Sequence, residues 1–485
     1  ELSNMAWAYA TLLVKDEPLL KAISAAAITK ISEFTSQNLA NTAWAFATLM
    51  LPDDPLFEAI AEQALRIIGQ CDAQDLANTA WACATLGFED RPLMAAISAA
   101  AISKISSFNT QNLSNTAWAF ATLDLLDGPL RDAISKEVRI QIEQFRKGLA
   151  LDMSPDEFAM DITGVVWAFN FAGVLESTFA QLVRSVVTEI GRDMDVRRPP
   201  SGSNGRVAEG FTAAGVPHVE LDLSDRLVIH KPPGWEVDTT DVGGAKHLSQ
   251  YLQSVLTWPL AFEVTHSYGF LHRLDTPSSG LILTAKTFEA YYDLKYQLSI
   301  GELVRDYIVL CRGLIDPHRR EINARVYHWR HEGNLPSTVV RQGKPSRTCL
   351  KVLAHCFRQG EYFSFVAIRI RTGRRHQIRA HAAHIGHPTV CDGKYTSAET
   401  FLRDKEWCER NFLHRYRLAF TDQAGHVREA MADLPGDLLQ ALRCLSPRTP
   451  QSKRVLDEWA AARALRDWEK YPVLSDAIAL SDVAN

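Results

Sequence analysis

The sequence lacks the patterns that indicate a metal site, a disulfide framework or a membrane span. Its eight cysteines form no Cys-x-x-Cys pair, so neither a zinc ribbon nor a disulfide scaffold is indicated, and reduced, buried thiols are expected. No apolar stretch approaches the roughly 18 residues that a transmembrane helix needs, because Lys, Asp or Glu interrupts each hydrophobic segment. The composition therefore predicts a soluble protein without membrane contact.

Charge is divided unevenly along the 485 residues, a length that favours two or three domains. Residues 1–190 hold 12 Lys and Arg against 23 Asp and Glu, a net charge of -11, which leaves 40 against 34, or +6, in residues 191–485. The basic C-terminal half is the better candidate for phosphate contacts, and the acidic half for a different partner. The chain begins at Glu1 inside a repeat, so we expect any targeting segment to lie outside it.

The acidic half repeats itself every 37 residues. Asn4, Asn41, Asn78 and Asn115 each begin the pattern N-x-A-W-A-x-A-T-L, and a Pro-Leu pair recurs at the same interval from Pro18. Apolar residues at helical spacing predict two amphipathic helices per repeat, with proline in the first turn of the second helix. Stacked copies of such a unit share one core, so residues 1–190 are predicted to form an all-α solenoid, with a degenerate fifth unit around Trp167.

The repeat core NLANTAWAFATL resembles octatricopeptide-like arrays of algal and protist organellar proteins, which are linked to RNA handling. The resemblance implies a chloroplast or mitochondrial location, with the cytoplasm as the alternative. Gln37, Asn38, Asn41 and Thr42 are placed to read RNA bases unit by unit. The same residue types also cap helices or form hydrogen-bond ladders between units, so an RNA partner and a protein partner of the array both stay open.

Pro, Gly, Ser and charged residues in the run DMDVRRPPSGSNGR predict a linker over residues 191–220. Beyond it, β-rich runs alternate with helical stretches, which predicts an α+β domain with a mixed or antiparallel sheet over residues 221–435. Residues 436–485 are predicted to form a helical tail.

Two stretches of the basic half carry candidate chemistry. In LHRLDTPSSGLILTA, residues 271–285, His272 and Arg273 lead into Asp275 on a loop before a buried strand. Taken alone, Asp275 is better explained as a turn cap that pairs with Arg273 at the surface. Residues 362–391 contain no acid but include Arg369, Arg371, Arg374, Arg375, Arg379 and four histidines, a cluster suited to phosphate binding or to pairing a catalytic carboxylate. The histidine spacing matches no common zinc motif, so no metal is predicted.

Five blocks in order, over about 190 residues, resemble RluA-type RNA pseudouridine synthases. They are LVIHKPPG (227–234), HRLDTPSSGLIL (272–283), RDYIVLCRG (305–313), RTGRRHQIRAHAAHIGHPTVCDGKY (371–395) and FLHRYRLAF (412–420), with KPSRT (344–348) before the fourth. Arg305 stands where the family usually has Lys, and the small RNA-binding module that precedes many relatives is not recognisable. The repeats take its place, so substrates of relatives do not transfer.

The resemblance implies residue roles and an isomerisation that needs no cofactor. Asp275 corresponds to the catalytic carboxylate, Arg379 to its pairing cation and Tyr307 to the aromatic residue that packs on the target base. Arg273 corresponds to the residue that enters the RNA stack when the nucleotide is flipped out, and His272, Arg374, Arg375 and His376 are expected beside it in the RNA site. The predicted function is conversion of uridine to pseudouridine in RNA. The alternative is a non-catalytic RNA-binding or assembly factor that keeps the fold.

Overall fold

A computed structural model describes residues 1–149, 153–198, 215–237, 246–329, 335–463, 467–472 and 474. These residues form two compact units. One consists of residues 1–190 with 340–344, and the other of the described residues of 191–339 and 345–485. The first is helical over residues 1–190 and the second is a mixed α+β unit, as the sequence predicts.

The helical unit is built from consecutive helix pairs. Its helices are α1 (Leu2–Thr11), α2 (Glu17–Thr29), α3 (Ser36–Thr48), α4 (Asp54–Ile67), α5 (Ala73–Leu86), α6 (Arg91–Ser103), α7 (Thr110–Thr122), α8 (Gly128–Arg146), α9 (Pro155–Phe171) and α10 (Ser177–Arg197). The first helices of neighbouring pairs pack side by side, from α1 through α9. Trp167 lies on α9, in the fifth pair. Among the described helices, none is long and apolar enough to cross a membrane.

Aspartate and proline set where the second helix of each of the first four pairs begins. The side chains of Asp16, Asp53, Asp90 and Asp127 each accept a hydrogen bond from the backbone N–H three residues on. A proline follows in the first turn, where its missing N–H removes no helical hydrogen bond. The predicted position of the repeated proline is therefore confirmed.

The structure divides the polar repeat residues into two groups. Asn38 forms a capping box with Thr35 and also donates to Ser3 Oγ of the preceding unit at 2.9 Å, while buried Thr42 donates to the Asn38 carbonyl. Gln37 is exposed and Asn41 is half-buried, and neither side chain has a hydrogen bond to a described residue. Capping and ladder roles thus account for Asn38 and Thr42 but not for Gln37 and Asn41.

The predicted linker begins later than its composition indicates. Helix α10 continues to Arg197, so residues 191–197 are helical, and a strand already begins at His218. The charged residues of this stretch fit the exposed face of an amphipathic helix as well as they fit a linker. In the sequence, the first residues that disfavour a helix are Pro199 and Pro200. Residues 199–214 of the expected linker lie outside the described residues.

The second unit is centred on a ten-stranded mixed sheet in the part of the chain that is described. Its strands, in spatial order, are β1 (His218–Asp222), β2 (Arg226–Lys231), β5 (Ser279–Ala285), β12 (Leu413–Thr421), β6 (Val304–Arg312), β11 (Glu361–Ile370), β10 (Arg347–Arg358) and β14 (Ser446–Pro447), with β13 (Val427–Met431) on β12 and β7 (Glu321–Asn323) on β10. Two short pairs lie outside it, β3 (Trp235–Glu236) with β4 (Lys246–His247) and β8 (Val326–Tyr327) with β9 (Thr338–Val339). The pair β5–β12 is parallel and the other neighbours are antiparallel.

Successive side chains along each strand point to opposite faces of the sheet, and a hydrophobic core lies on each face. On β6, Tyr307 and Val309 enter one core, whereas Ile308 and Leu310 enter the other. Helices cover the faces, namely α11 (Leu248–Val255), α12 (Phe288–Ser299), α13 (Gln377–His384), α14 (Ala398–Lys405), α15 (Gly436–Arg443) and α16 (Pro450–Ala460). Six of the eight cysteines are buried, whereas Cys349 is half-buried and Cys444 exposed.

The predicted tail from residue 436 is part of the second unit rather than a separate helical segment. Its helices α15 and α16 bury Leu438, Leu456 and Trp459 in the second core, and β14 pairs with β10. Apolar residues at helical spacing identified the helices. They did not identify the sheet face that these residues cover, which depends on contacts distant in sequence. Residues 475–485 lie outside the described residues.

Candidate active site

The loop that carries Asp275 is held by a buried lysine and by its own turn. Lys231, at the end of β2, is fully buried, and its Nζ donates to three main-chain carbonyls, including that of Thr276 at 3.3 Å. Burial lowers the pKa of Lys231 to about 7. The Asp275 carbonyl accepts from the Ser278 N–H at 3.0 Å, so the turn expected from the Pro-Ser-Ser-Gly run is present.

Asp275 and Arg379 form the ion pair expected from the sequence, although 104 residues separate them. Arg379 Nη1, on α13, donates to Asp275 Oδ2 at 2.8 Å. The other side of the same guanidinium donates to both oxygens of Asp392, at 2.7 Å from Nε and 2.6 Å from Nη2. Asp392 is buried and also accepts from Thr389 Oγ1 at 3.0 Å. Arg379 is therefore held between two carboxylates, and its position fixes that of Asp275.

Electrostatics keep Asp275 ionised. Burial opposes ionisation, but the charges of neighbouring His376 and Arg379 outweigh it, so the pKa of Asp275 lies below its ordinary value of 3.8. His376 Nε2 is 3.9 Å from Asp275 Oδ2, yet burial lowers the pKa of His376 to about 4. The His376 ring is therefore neutral near pH 7. Under those conditions Arg379, with a smaller contribution from Arg273, stabilises the carboxylate.

Tyr307 is linked to the Asp275 loop by Arg415. The buried Arg415 lies opposite Tyr307 on β12, and its Nη2 donates to the Tyr307 hydroxyl oxygen. The same guanidinium donates to His272 Nδ1 at 2.6 Å and to the Arg273 carbonyl at 3.1 Å. Since the His272 ring accepts through Nδ1 and burial lowers its pKa well below 6.5, this histidine is neutral.

Close approach of β5 and β12 brings Arg415 to this position. Gly280 on β5 has φ +123°, and a Cβ there would lie 2.2 Å from the Arg415 carbonyl oxygen. A side chain at residue 280 would therefore separate the parallel strands. The glycine of the Pro-Ser-Ser-Gly run thus positions a cation 135 residues away.

The other predicted RNA-site residues are distributed around this centre. Arg273 has a half-exposed side chain that approaches Glu236 at 3.8 Å, as suits a residue available to RNA. Arg374 is partly buried next to α13, and Arg375 Nη1 lies 2.9 Å from His328 Nε2. Arg369, counted above in the phosphate cluster, instead pairs with Asp306 at 2.7 Å, on the sheet face opposite Tyr307.

Three of the four histidines of residues 362–391 have separate structural contacts, and the fourth, His384, is exposed. His381 contacts Thr348 Oγ1 at 2.9 Å, and His387 Nδ1 contacts the Arg312 carbonyl at 2.9 Å. Within the described ranges, no group of three or more His, Cys, Asp or Glu side chains is arranged to hold a metal ion.

Asp392 and Arg415 were not singled out from the sequence. Asp392 is the first acid after the acid-free residues 362–391, a position that favours a partner for one of those cations. Nothing in its own block distinguishes Arg415 from Arg417, which instead pairs with Asp306 and Glu429. A bulge between them places these two arginines on opposite faces of the sheet.

Comparison with known proteins decides the family. Residues 225–384 match the family model described as RNA pseudouridylate synthase. Over 267 residues the chain is 31% identical to ribosomal large subunit pseudouridine synthase D of Nitrosomonas europaea, which covers 50% of this chain and 73% of that protein. The chain belongs to the RNA pseudouridylate synthase family.

A second relative gives the same result. The chain is 31% identical over 272 residues to ribosomal large subunit pseudouridine synthase C of Salmonella typhimurium, covering 52% of this chain and 79% of that protein. The solved structure of human RNA pseudouridylate synthase domain containing 1 is 25% identical, with a TM-score of 0.39, over 51% of this chain and 97% of that one. The repeats, residues 1–148, match the model of the RNA-editing substrate-binding complex 6 protein.

Proposed function

We propose that this pseudouridine synthase isomerises uridine to pseudouridine in RNA, with Asp275 as its catalytic carboxylate. The observation that carries the proposal is the arrangement of Asp275, Arg379 and Asp392, in which one arginine is held by a carboxylate on each side. Family membership supplies the reaction class. A protein that only binds RNA gains nothing from a half-buried, ionised aspartate on a loop that Arg415 links to Tyr307.

The reaction places definite demands on these residues. The N1–C1′ bond of uridine breaks, a C5–C1′ bond forms, C5 loses a proton and N1 gains one, so no electron acceptor is required. Asp275 supplies the carboxylate that acts on the nucleotide. Tyr307, whose hydroxyl Arg415 holds in place, is suited to proton transfer at C5. The target nucleotide has to leave its stack, at a cost of about a few kcal/mol, and the half-exposed Arg273 is placed to fill the gap.

The repeat unit is proposed to select the RNA target while the second unit performs the chemistry. Matching to an RNA-editing substrate-binding family supports this role, as do the exposed Gln37 and the half-buried Asn41, neither of which has an internal hydrogen bond. Relatives are named for ribosomal large subunit RNA. The different N-terminal unit argues for a different target here. An organellar compartment, chloroplast or mitochondrion, remains the prediction for its place of action.

Release of tritium from RNA labelled at C5 of uridine tests the function. Wild type should release tritium from at least one cellular RNA pool, and Asp275→Ala should release none above background. No release by wild type from any pool would refute the enzyme proposal in favour of a binding factor. Equal release by Asp275→Ala would refute the assignment of the carboxylate and leave the activity standing.

A further inference from the structure

The second unit neutralises most of its buried arginines with carboxylates. Six arginines with at most 16% of the side chain exposed each lie 2.5 to 2.9 Å from an Asp oxygen, namely Arg226, Arg312, Arg369, Arg379, Arg410 and Arg417. The buried Arg305 and Arg415 and the partly buried Arg374 pair with no carboxylate among the described residues. A buried charge without a counter-ion is costly, so three such residues together require an explanation.

The three unpaired arginines, here called the arginine cluster, lie near one another on the Tyr307 side of the sheet. Arg305 and Tyr307 are two residues apart on β6 and therefore face the same side, and Arg415 is opposite Tyr307. A Cβ on Gly373 would lie 2.9 Å from Arg305 Nη1, which places Arg305 against the loop that carries Arg374.

Hydrogen bonding in the arginine cluster is incomplete. Arg305 is 3% exposed, and its side chain donates to no described residue. Arg374 has one long contact, 3.5 Å to the Pro345 carbonyl, and the Nε groups of all three arginines are buried without a partner. Burial lowers the pKa of Arg305 and of Arg374 to about 10, so both stay protonated at neutral pH. Unpaired donors on these three cations suit an anionic acceptor.

We propose that the arginine cluster binds a phosphate of the RNA substrate, at a phosphodiester next to the target uridine. Arg305 and Arg374 donate hydrogen bonds to the phosphate oxygens. Arg415, already engaged with Tyr307 and His272, adds positive charge. The proposal rests on the proposed function for its ligand, and it names the group that holds the flipped nucleotide beside Tyr307.

A phosphate fits this site better than a base does. Uracil offers neutral carbonyl oxygens, which accept hydrogen bonds but leave the charge of three arginines uncompensated. A phosphodiester supplies a full negative charge and several acceptors in the geometry that a guanidinium fork matches. Arg305, in place of the usual Lys of the family, provides such a fork. Arg369, first counted as a phosphate contact, is excluded because Asp306 already neutralises it.

Thermal unfolding of the full chain with inorganic phosphate, at constant ionic strength, tests the site without RNA. Phosphate should raise the Tm of wild type, and Arg305→Gln should lose at least half of that rise. Without phosphate, Arg305→Gln should keep or raise the Tm because it removes an unpaired buried charge. Arg417→Gln, which removes a paired arginine, should lower the Tm and keep the phosphate effect. Arg454→Gln, on the exposed surface of α16, should change neither.

A second measurement covers RNA itself. Arg305→Gln should weaken RNA binding about tenfold, and the slope of log Kd against log salt should decrease by about one, as expected for one lost phosphate contact. Arg305→Lys, which keeps the charge, should retain part of both the phosphate effect and the slope. Binding of uridine nucleoside should be unaffected by either variant.

The outcomes separate this proposal from the proposed function. If wild type shows no phosphate effect, or Arg305→Gln keeps all of it, the phosphate site is refuted, and tritium release still decides the activity. If Arg305→Gln loses the phosphate effect but wild type releases no tritium, the anion site stands and the isomerase function fails. A large fall in the Tm of Arg305→Gln without phosphate would show a structural role and overturn the proposal.

Discussion

Asp392→Asn should impair catalysis without removing any residue that touches the substrate. Each Asp392 oxygen accepts one hydrogen bond from Arg379 and a second one, from Thr389 Oγ1 or from the Lys394 N–H at 3.1 Å. An asparagine keeps one acceptor oxygen. In place of the second oxygen it has an NH2 group, which faces the two donors that this oxygen had accepted from. Arg379 therefore loses one of its two ion pairs and keeps only Asp275 as a carboxylate partner.

The magnitude follows from this loss of position. Removing one partner of a buried ion pair costs about 3–5 kcal/mol of stability, and Asp392→Asn should be near the lower end because Asp275 still pairs with Arg379. A carboxylate displaced by about 1 Å costs roughly 100-fold in rate. That factor corresponds to about 2.7 kcal/mol of activation free energy, and it should appear in kcat rather than in KM.

Asp225→Asn is the matched control for this variant. Arg226 is held between Asp225 and Asp293 much as Arg379 is held between Asp392 and Asp275, but away from the Asp275 loop. Both variants should lower the free energy of unfolding, measured by urea denaturation, and only Asp392→Asn should slow single-turnover tritium release. If Asp392→Asn keeps the wild-type kcat, or if Asp225→Asn loses as much, then Asp392 does not position the catalytic pair.

Three further predictions concern pH, proton transfer and target choice. Burial raises the pKa of Asp275, but nearby cations lower it below 3.8. Its ionisation therefore supports stability and activity above pH 3.8, and this contribution is lost only as pH falls through the lower pKa of the folded state. A kcat profile from about pH 4 to 8 in which protonation of Asp275 halves kcat above pH 4 would contradict this. Tyr307→Phe keeps the ring and removes the hydroxyl that Arg415 holds, so kcat should fall about 100-fold or more, with a larger isotope effect from deuterium at C5; an unchanged isotope effect would exclude Tyr307 from proton transfer. Replacing Asn41, Asn78 and Asn115 together by Ala should change the map of modified uridines in cellular RNA but leave tritium release from the remaining targets intact, and an identical map would refute target selection by the repeats.

Much of the architecture could be read from the sequence because it depends on local physics. The period of 37, the recurring Pro-Leu pair and helical spacing predicted the helix pairs, and β-rich runs between helical stretches predicted the α+β unit. Composition was a poorer guide at boundaries. Residues 191–197, predicted as linker, belong to α10. The predicted tail from residue 436 covers one face of the sheet.

The candidate site was only partly accessible in this way. Ordered blocks pointed to Asp275, Tyr307 and Arg379, and the pairing of Asp275 with Arg379 is present at 2.8 Å. Which cation meets which carboxylate is decided by strand order, register and bulges, and these bring together residues more than 100 positions apart. Tertiary structure therefore decided that Asp306 neutralises Arg369 and that Asp392 holds Arg379. It also decided that Arg415 joins Tyr307 to the Asp275 loop while Arg305 is left with its charge unpaired.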